Sequence, residues 1–258
     1  MLQKRLIPCL TLLNNSFVKT LNFKEPKYIG DPINTIKIFN EKFVDEIMIL
    51  DIGATKHGLE PNYKLLSDIA SECFIPLGYG GGIKNLKDAS KIIEIGFEKI
   101  CLQSGAIKDH LLIYEISKKF GSQSCLVSVD VKKDLFGRYQ VYNYLSGTYY
   151  KDLKLESFLR KIINHGAGEI IINLVNNDGK RSGMDLKLIE KLSGLFSIPI
   201  IFVGGVGNLE HVKSAFKVGA NAVGGGSFFV LHGEHRAVLV SYPKQQDFKK
   251  LDDEEKNL

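Results

Sequence analysis

Two patterns of apolar residues alternate along the chain. Short apolar runs bounded by Gly, Pro, Asp or Asn are typical of buried strands, whereas the longer segments between them repeat apolar residues at helical spacing. The runs predict eight strands, at 5–10, 46–51, 74–79, 98–103, 124–130, 169–174, 200–203 and 222–225. The segments between them predict helices, several of them behind an Asn or Asp suited to cap them, at 31–42, 85–95, 111–120, 153–165, 184–195 and 208–218.

This order of elements predicts a closed barrel. Strands that alternate with helices form parallel sheets, and eight such units can close the sheet on itself. We therefore expect an α/β protein, a (β/α)8 TIM barrel that occupies residues 1–243. The segment at 244–258 is rich in charge and nearly free of apolar residues, so it predicts a disordered tail.

An internal repeat indicates that the barrel is built from two half-barrels. The segment IPLGYGGGIKNLKDASKIIEIG at 75–96 matches IPIIFVGGVGNLEHVKSAFKVG at 198–219, with an offset of 123 residues. Two related halves would place both glycine loops at the same end of the barrel. Carried further, the offset pairs Gly81, Gly82 and Ser104 of one half with Gly204, Gly205 and Ser227 of the other.

Composition limits the class of protein and of partner. Of the 258 residues, 44% are hydrophobic and 24% are charged, which suits a globular protein with a sizeable core. The net charge of +5 comes from lysines spread along the chain, which indicates mild steering of anionic ligands or simply a solvated surface, and no nucleic-acid partner. The chain shows neither a membrane-length apolar run nor a secretory signal, so we expect a cytoplasmic protein without a membrane partner.

The four cysteines predict buried free thiols. Cys9, Cys73, Cys101 and Cys125 form no C-x-x-C pair, and three of them lie in apolar, strand-like runs. A small apolar side chain would serve equally well there. We expect neither a metal site nor a cofactor.

Glycine loops that follow strands let backbone N–H groups approach an anion closely. Tight turns alone are the alternative, but two loops that repeat, each with a serine one strand later, favour phosphate binding. A ligand with phosphates at both ends would then span the mouth of the barrel. We call Gly81, Gly82 and Ser104 the first cradle, and Gly204, Gly205, Gly226 and Ser227 the second cradle.

Carboxylates that end apolar strands are the catalytic candidates. Asp51 and Asp130 close the runs ILD and VSVD, and the carboxyl ends of barrel strands carry the active sites of such folds. Helix capping is the alternative for each of them. Asp178 and Gly179, in the NNDG segment after the sixth strand, are further ligand candidates, although turn formation explains them nearly as well.

Two cations and two anions lie at the starts of four strands, at the opposite end from the glycine loops. Ordinary surface ion pairs are the default interpretation. If the four side chains converge on the barrel axis instead, they form a charged plug, which is costly and calls for a functional reason. The four residues are Arg5, Glu46, Lys99 and Glu169.

These features together resemble the cyclase subunit of imidazole glycerol phosphate synthase. The collinear match includes KRLIPCL, GDPI, ILDI, IPLGYGGGI, FGSQ, VDVK, GAGEI, NDG and IPII, and it extends to about Pro243. The resemblance implies a barrel that forms a heterodimer with a glutaminase, receives ammonia through its axis and cyclises a bisphosphorylated ribulosyl intermediate at the mouth. It also implies an ammonia gate made by Arg5, Glu46, Lys99 and Glu169, and phosphate contacts by Gly82, Ser104, Gly179, Gly205 and Ser227.

The catalytic end departs from the family pattern. The family pairs an Asp on the first strand with an Asp on the fifth, but this chain has Thr11 and Asp130. A hydroxyl cannot exchange a proton near neutral pH as a carboxylate can. Lys19 is retained, whereas Gln103 and Asn173 replace the family's Asn and Thr.

This combination resembles the paralogue associated with acetamidino modification of bacterial surface-polysaccharide sugars. We therefore expect a subunit that conducts ammonia for a separate sugar amidotransferase, with catalytic candidates Thr11, Lys19, Asp51 and Asp130. One alternative is a histidine-pathway lyase in which Asp130 and Lys19 suffice. Another is a catalytically silent scaffold that activates the glutaminase.

Overall fold

The computed structural model describes residues 4–244, in which eight parallel strands form a closed barrel. The first and last of these strands pair with each other, Arg5 opposite Ala222 and Pro8 opposite Gly225, so the sheet has no free edge. The predicted (β/α)8 fold is confirmed. The strands are β1 (Arg5–Leu13), β2 (Ile47–Asp51), β3 (Leu77–Gly80), β4 (Lys99–Leu102), β5 (Cys125–Lys133), β6 (Glu169–Leu174), β7 (Ile200–Val203) and β8 (Ala222–Gly225).

Seven longer helices connect successive strands and pack around the outside of the barrel. Six of them match the prediction within a few residues, and the one missed, Tyr63–Glu72, buries fully only Leu66 and Ile69. Its N-terminus is nevertheless capped, because the Asn62 side chain accepts from the Leu65 N–H at 3.2 Å. The helices are α1 (Pro32–Asn40), α2 (Tyr63–Glu72), α3 (Leu86–Ile95), α4 (Leu111–Phe120), α5 (Leu155–Asn164), α6 (Leu186–Ser193) and α7 (Leu209–Lys217).

Two hairpins at the mouth of the barrel were not predicted. In the first hairpin, Ser16–Leu21 folds back antiparallel on the end of β1 and pairs with Lys24–Gly30. In the second hairpin, Tyr139–Asn143 folds back on the end of β5 and pairs with Thr148–Tyr149. Short helices at Ala54–His57, Ser104–Lys108 and Ser227–Val230, and a small strand pair, Leu231–His232 with Ala237–Val238, complete the rim.

The predicted start of the third strand at Phe74 is wrong. Phe74 is 90% exposed and β3 begins only at Leu77, after Pro76. Proline has no N–H to donate to a sheet, which is why it lies ahead of the strand. The predicted tail at 244–258 lies, beyond Lys244, outside the described residues. Within 4–244, no helix combines the length and the apolar character that a bilayer crossing requires.

Side chains along each strand alternate between the barrel axis and the helices. One buried cluster fills the axis, and a larger one lies between the sheet and the helices. The four cysteines are free thiols, and burial raises the pKa of Cys9, inside the barrel, to about 12. The axial cluster consists of Ile7, Cys9, Met48, Cys101, Leu126, Ile171, Ile201, Val203 and Ala222.

The predicted repeat is visible in backbone geometry. Asn85 and Asn208 cap α3 and α7 with nearly the same φ, −156° and −157°, and each accepts an N–H three residues ahead at 3.0 Å. Gly81 and Gly204 both have positive φ, 130° and 113°. The two halves therefore share their strand–loop–helix conformation.

Replacing Phe202 by Ala should lower the free energy of unfolding by about 3–5 kcal/mol, because Phe202 is fully buried between the sheet and the helices. Denaturant unfolding followed by circular dichroism measures this loss. The same change at Phe74, which is 90% exposed, serves as the control and should cost less than about 0.5 kcal/mol. Equal losses at the two positions would contradict the described packing.

Candidate functional site

The carboxyl ends of the strands surround a cavity of about 630 Å³. Both hairpins contribute to its wall together with the strand ends, so polar groups from distant parts of the sequence meet there. Every predicted site residue other than the four strand-start ions lines this cavity. They are Thr11, Lys19, Asp51, Gly81, Gly82, Gln103, Ser104, Asp130, Asn173, Asp178, Gly179, Gly204, Gly205, Gly226 and Ser227.

The glycine loops are tightly enclosed by backbone. A Cβ on Gly81 would collide with the Asp51 carbonyl oxygen, and a Cβ on Gly205 would collide with that of Gly183. Both residues also have positive φ, which side chains rarely tolerate. Glycine is therefore required at both loops for local packing.

The second cradle contains an unusual hydroxyl. Ser227 is 4% exposed and lines the cavity, yet its Oγ has no hydrogen-bond partner. A buried hydroxyl without a partner costs free energy. Ser193 Oγ also has no partner, but only Ser227 of these two serines lines the cavity, where a ligand atom can complete its bonding. Phosphate oxygens are acceptors suited to this donor.

Asp130 is the buried carboxylate of the cavity. Gln103 Nε2 donates to its Oδ2 at 2.5 Å, and Asn173 Nδ2 donates to its Oδ1 at 3.2 Å. Removal from water raises the pKa of Asp130 to about 7, because two neutral amides compensate the charge only in part. A carboxyl group with such a pKa is able to accept and return a proton near neutral pH.

Thr11 and Asp51 have structural hydrogen bonds. The Thr11 hydroxyl donates to the carbonyl oxygen of Val18 and so holds the first hairpin against β1. The Asp51 carboxylate accepts from the N–H groups of Gly53 and Ala54, both at 2.9 Å. The Asp51 side chain thus bonds the backbone at the start of the short helix Ala54–His57, whose N-cap residue is Gly53; burial raises the pKa of Asp51, and the side chain still lines the cavity.

Asp178 anchors the first hairpin over the cavity. Lys19 Nζ lies 2.7 Å from Asp178 Oδ1, and Thr20 Oγ1 donates to Oδ2 at 3.1 Å. The Phe23 N–H also donates to Oδ2, at 3.1 Å. The neighbouring Gly179 carbonyl accepts from Arg236. Lys19 and Asp178 thus form one buried ion pair that ties the loop after β6 to the hairpin.

The four ions at the strand starts form a closed ring at the other end of the axis. Arg5 contacts Glu46 at 2.8 Å and also contacts Glu169, and Lys99 contacts Glu46 at 2.7 Å and Glu169 at 2.9 Å. Both glutamate side chains are only 5% exposed. The default interpretation as surface ion pairs is wrong, because each side chain turns inward from its strand and meets the others on the axis.

Several cavity residues were missed in the sequence. Thr55, His57 and Tyr144 line the cavity, as does Phe23 from the first hairpin. No motif marks them, since Thr55 and His57 belong to a helix of only four residues, and Phe23 and Tyr144 belong to hairpins whose strands are short and mixed in polarity. Only Thr55 could have been predicted as a cavity residue, because it directly follows the DIGA segment and the segments after barrel strands carry binding groups.

Fold and site together define a class of protein: a (β/α)8 barrel with a glycine-walled cavity at the strand ends and an ionic ring across the opposite end. A family model described as "Histidine biosynthesis protein" matches residues 5–235. The chain belongs to this family and, within it, to the HisF-type cyclase subunits of imidazole glycerol phosphate synthase.

Individual relatives cover nearly the whole chain. A Pseudomonas aeruginosa protein provisionally named imidazole glycerol phosphate synthase subunit hisF2 is 45% identical over 255 residues, 98% of this chain and 99% of the relative. A Leptospira borgpetersenii protein, provisionally named as subunit HisF, is 43% identical over 97% of this chain and 99% of its own length. The imidazole glycerol phosphate synthase subunit HisF of Exiguobacterium sp. is 39% identical over 84% of each chain.

Replacing Gln103 by Leu should raise the pKa of Asp130 further above about 7, because the substitution removes a donor that stabilises the ionised carboxylate. The carboxyl ¹³C shift of Asp130, followed from pH 4 to pH 9 in labelled protein, measures the change. Gln123→Leu, at an exposed position, is the matched control and should leave the titration in place. A titration unchanged in Gln103→Leu would contradict the described hydrogen bond.

Proposed function

We propose that this chain receives ammonia from a glutaminase partner at the ring end of the barrel and passes it along the axis to the mouth. The ring of Arg5, Glu46, Lys99 and Glu169 carries this proposal. The two glutamates of the ring are buried and Arg5 and Lys99 are partly buried. Burying ionised groups is costly even when they are paired, so the arrangement calls for a function. A gate that blocks the axis until a partner docks is such a function.

The lining of the axis suits ammonia rather than ammonium. Ile7, Met48, Leu126, Ile171 and Ile201 form an apolar layer between the ring and the floor of the cavity. Neutral ammonia crosses an apolar layer at small cost, whereas a cation without partners is excluded. In this proposal the layer delivers the nucleophilic, unprotonated form and keeps water out, and passage requires one cation of the ring to move aside.

At the mouth, the two cradles bind an anionic ligand, and Asp130 accepts and returns protons. An amine that attacks an electrophilic carbon must lose a proton. A carboxylate with a pKa of about 7 can accept that proton and release it again near neutral pH. Ser227, buried and unpaired, is the hydroxyl that supports phosphate as the anchoring group. The ligand class is therefore a phosphorylated small molecule, for which a nucleotide-linked sugar qualifies.

We propose a surface-polysaccharide sugar, modified with a separate sugar amidotransferase, as the final acceptor. Thr11 supports this choice: its hydroxyl is bonded to the Val18 carbonyl and cannot serve as the second acid that ring closure uses in the family. The second candidate is the histidine-pathway cyclase reaction, and a specific observation favours it too, namely Asp130, retained with a pKa suited to acid–base work.

Replacing Lys99 by Ala should uncouple glutamine hydrolysis from amidation. Without Lys99, Glu46 and Glu169 share a single cation of the ring. The ring therefore no longer blocks the axis, and ammonia escapes to solvent. The amount of product formed per glutamine hydrolysed should fall severalfold in the complex with the glutaminase, while product formation from added ammonium salt stays unchanged.

The control for this experiment is Lys37→Ala, which removes a cation from an exposed pair with Glu72. It should leave the coupling intact. A Lys99→Ala complex that still couples fully would rule out conduction through the ring. If the barrel were nevertheless needed for glutamine hydrolysis, the result would support the scaffold alternative.

Expression of the chain in a histidine auxotroph that lacks its cyclase should not restore growth, because one carboxylate is missing from the acid–base pair. Thr11→Asp should raise the cyclase activity. This activity is measured as the imidazole glycerol phosphate that the purified protein forms with ammonium salt. Growth of the auxotroph with the unmodified chain would overturn the sugar assignment in favour of histidine biosynthesis.

A further inference from the structure

The outer turn of the second hairpin exposes two large apolar side chains to solvent. This turn, residues 134–138, joins the end of β5 to Tyr139–Asn143, and we call it the tip. Leu135 is 102% exposed and Phe136 is 82% exposed. Tyr144, at the opposite turn of the same hairpin, lines the cavity, whereas the tip residues do not. Ligand binding in the cavity therefore does not explain the apolar side chains of the tip.

Hydrogen bonds of Asp134 fix the conformation of the tip. Its Oδ1 accepts from the N–H groups of Phe136 and Arg138, both at 2.9 Å. Its carbonyl accepts from the Gly137 N–H at 3.0 Å, and its Oδ2 lies 2.7 Å from Arg138 Nε. The Arg138 guanidinium in turn lies over the Phe136 ring, with Cζ 5.1 Å from the ring centroid. The turn therefore presents its apolar pair in one fixed arrangement.

The charges around the tip are unequally exposed. Asp134 bonds to the turn itself, and Asp185 bonds to Lys133 at 2.6 Å and to the Tyr139 hydroxyl at 2.9 Å. The side chains of these two acids are only 12% and 11% exposed. The Arg138 and Lys133 side chains, by contrast, are 67% and 39% exposed. The surface that the tip offers to a partner is therefore apolar and cationic.

The neighbouring loop after β6 extends this surface. Asn176 Oδ1 accepts from the Lys133 N–H at 2.8 Å, which ties the loop to the end of β5, and Lys180 of the same loop is exposed. A protein with an apolar pocket bordered by carboxylates is complementary to such a surface. Arginine and aromatic side chains dominate the affinity of many protein interfaces, and a fixed arrangement lowers the entropic cost of binding. A lipid surface needs no fixed arrangement, so the hydrogen-bonded turn favours a protein partner.

We propose that the tip is the docking site of the sugar amidotransferase, which binds it through an apolar pocket bordered by acidic residues. This inference rests on the proposed function, in which a glutaminase binds at the ring end and ammonia leaves at the mouth. The two ends of the barrel are opposite, so both partners can be bound at once. Docking beside the mouth brings the acceptor to the place where ammonia emerges and limits the loss of ammonia to solvent.

Binding of the purified sugar amidotransferase to the complex of this chain with its glutaminase, measured by biolayer interferometry, tests the docking site. Phe136→Asp should weaken binding by about tenfold or more, because it replaces an apolar contact by a charge that the acidic pocket repels. Leu135→Asp should do the same and leaves the contact between Arg138 and Phe136 in place. Tyr114→Asp, at a position of α4 that is 50% exposed, is the matched control and should change the affinity by less than about twofold.

The charge complementarity is tested separately. Lys180→Glu should weaken the binding severalfold, and the affinity of the unmodified complex should fall as the salt concentration is raised. Lys87→Glu, at an exposed position of α3, is the control for the same change of charge and should have no effect. In Phe136→Asp, transfer of nitrogen from glutamine to the sugar should fall together with the binding, while glutamine hydrolysis stays unchanged.

The outcomes separate the docking site from the proposed function. Full binding by both Phe136→Asp and Leu135→Asp would overturn the docking site, and the Lys99→Ala experiment decides conduction independently of it. Suppose instead that the unmodified chain binds phosphatidylglycerol vesicles, or dimerises in sedimentation, and that Phe136→Asp abolishes this but not amidotransferase binding. The tip would then belong to a membrane or to a second copy, and the proposal would be overturned. A complex that does not bind the amidotransferase at all would overturn both the docking site and the sugar assignment.

Discussion

Closure of the eight-stranded sheet between β1 and β8 is the constraint on which the other features depend. In a closed barrel every second residue of a strand faces the axis, so Arg5, Ile7, Cys9 and Thr11 follow one another from one end of β1 to the other. The same alternation on the remaining strands stacks three layers: ions at the strand starts, apolar side chains in the middle, and polar groups at the strand ends. The site is thus a consequence of strand register.

Buried charges are compensated in different ways at the two ends of the barrel. In the ring each glutamate meets two cations, so the charges compensate one another within a few ångströms. Asp130 meets two neutral amides instead, and burial raises its pKa to about 7. The first arrangement favours a barrier that stays closed until one of its ions moves, and the second favours a group that exchanges protons. The sequence alone does not distinguish the two arrangements, because both contain carboxylates at the ends of apolar strands.

Duplication explains the mouth, and local divergence explains its asymmetry. The loops after β3 and β7 keep the same glycine conformations and the same asparagine caps. The hairpins correspond as well, since one follows β1 and the other follows β5, the first strand of each half, and the offset of 123 residues carries Ser16 onto Tyr139. The two hairpins contribute different side chains to the cavity: Lys19 and Phe23, near Asp178, come from the first hairpin and Tyr144 comes from the second.

The sequence by itself determined the barrel, the repeat and many, though not all, of the groups that line the mouth. Strand and helix periodicity and the spacing of glycines are local properties, and the (β/α)8 fold sends all strand ends to one rim. Only the tertiary structure decided how those groups pair: that Thr11 bonds to a backbone carbonyl, that the four ions meet on the axis, and that Lys19 pairs with Asp178. Such pairings depend on distances between segments far apart in the chain, and short hairpins of mixed polarity leave no periodic signal from which to infer them.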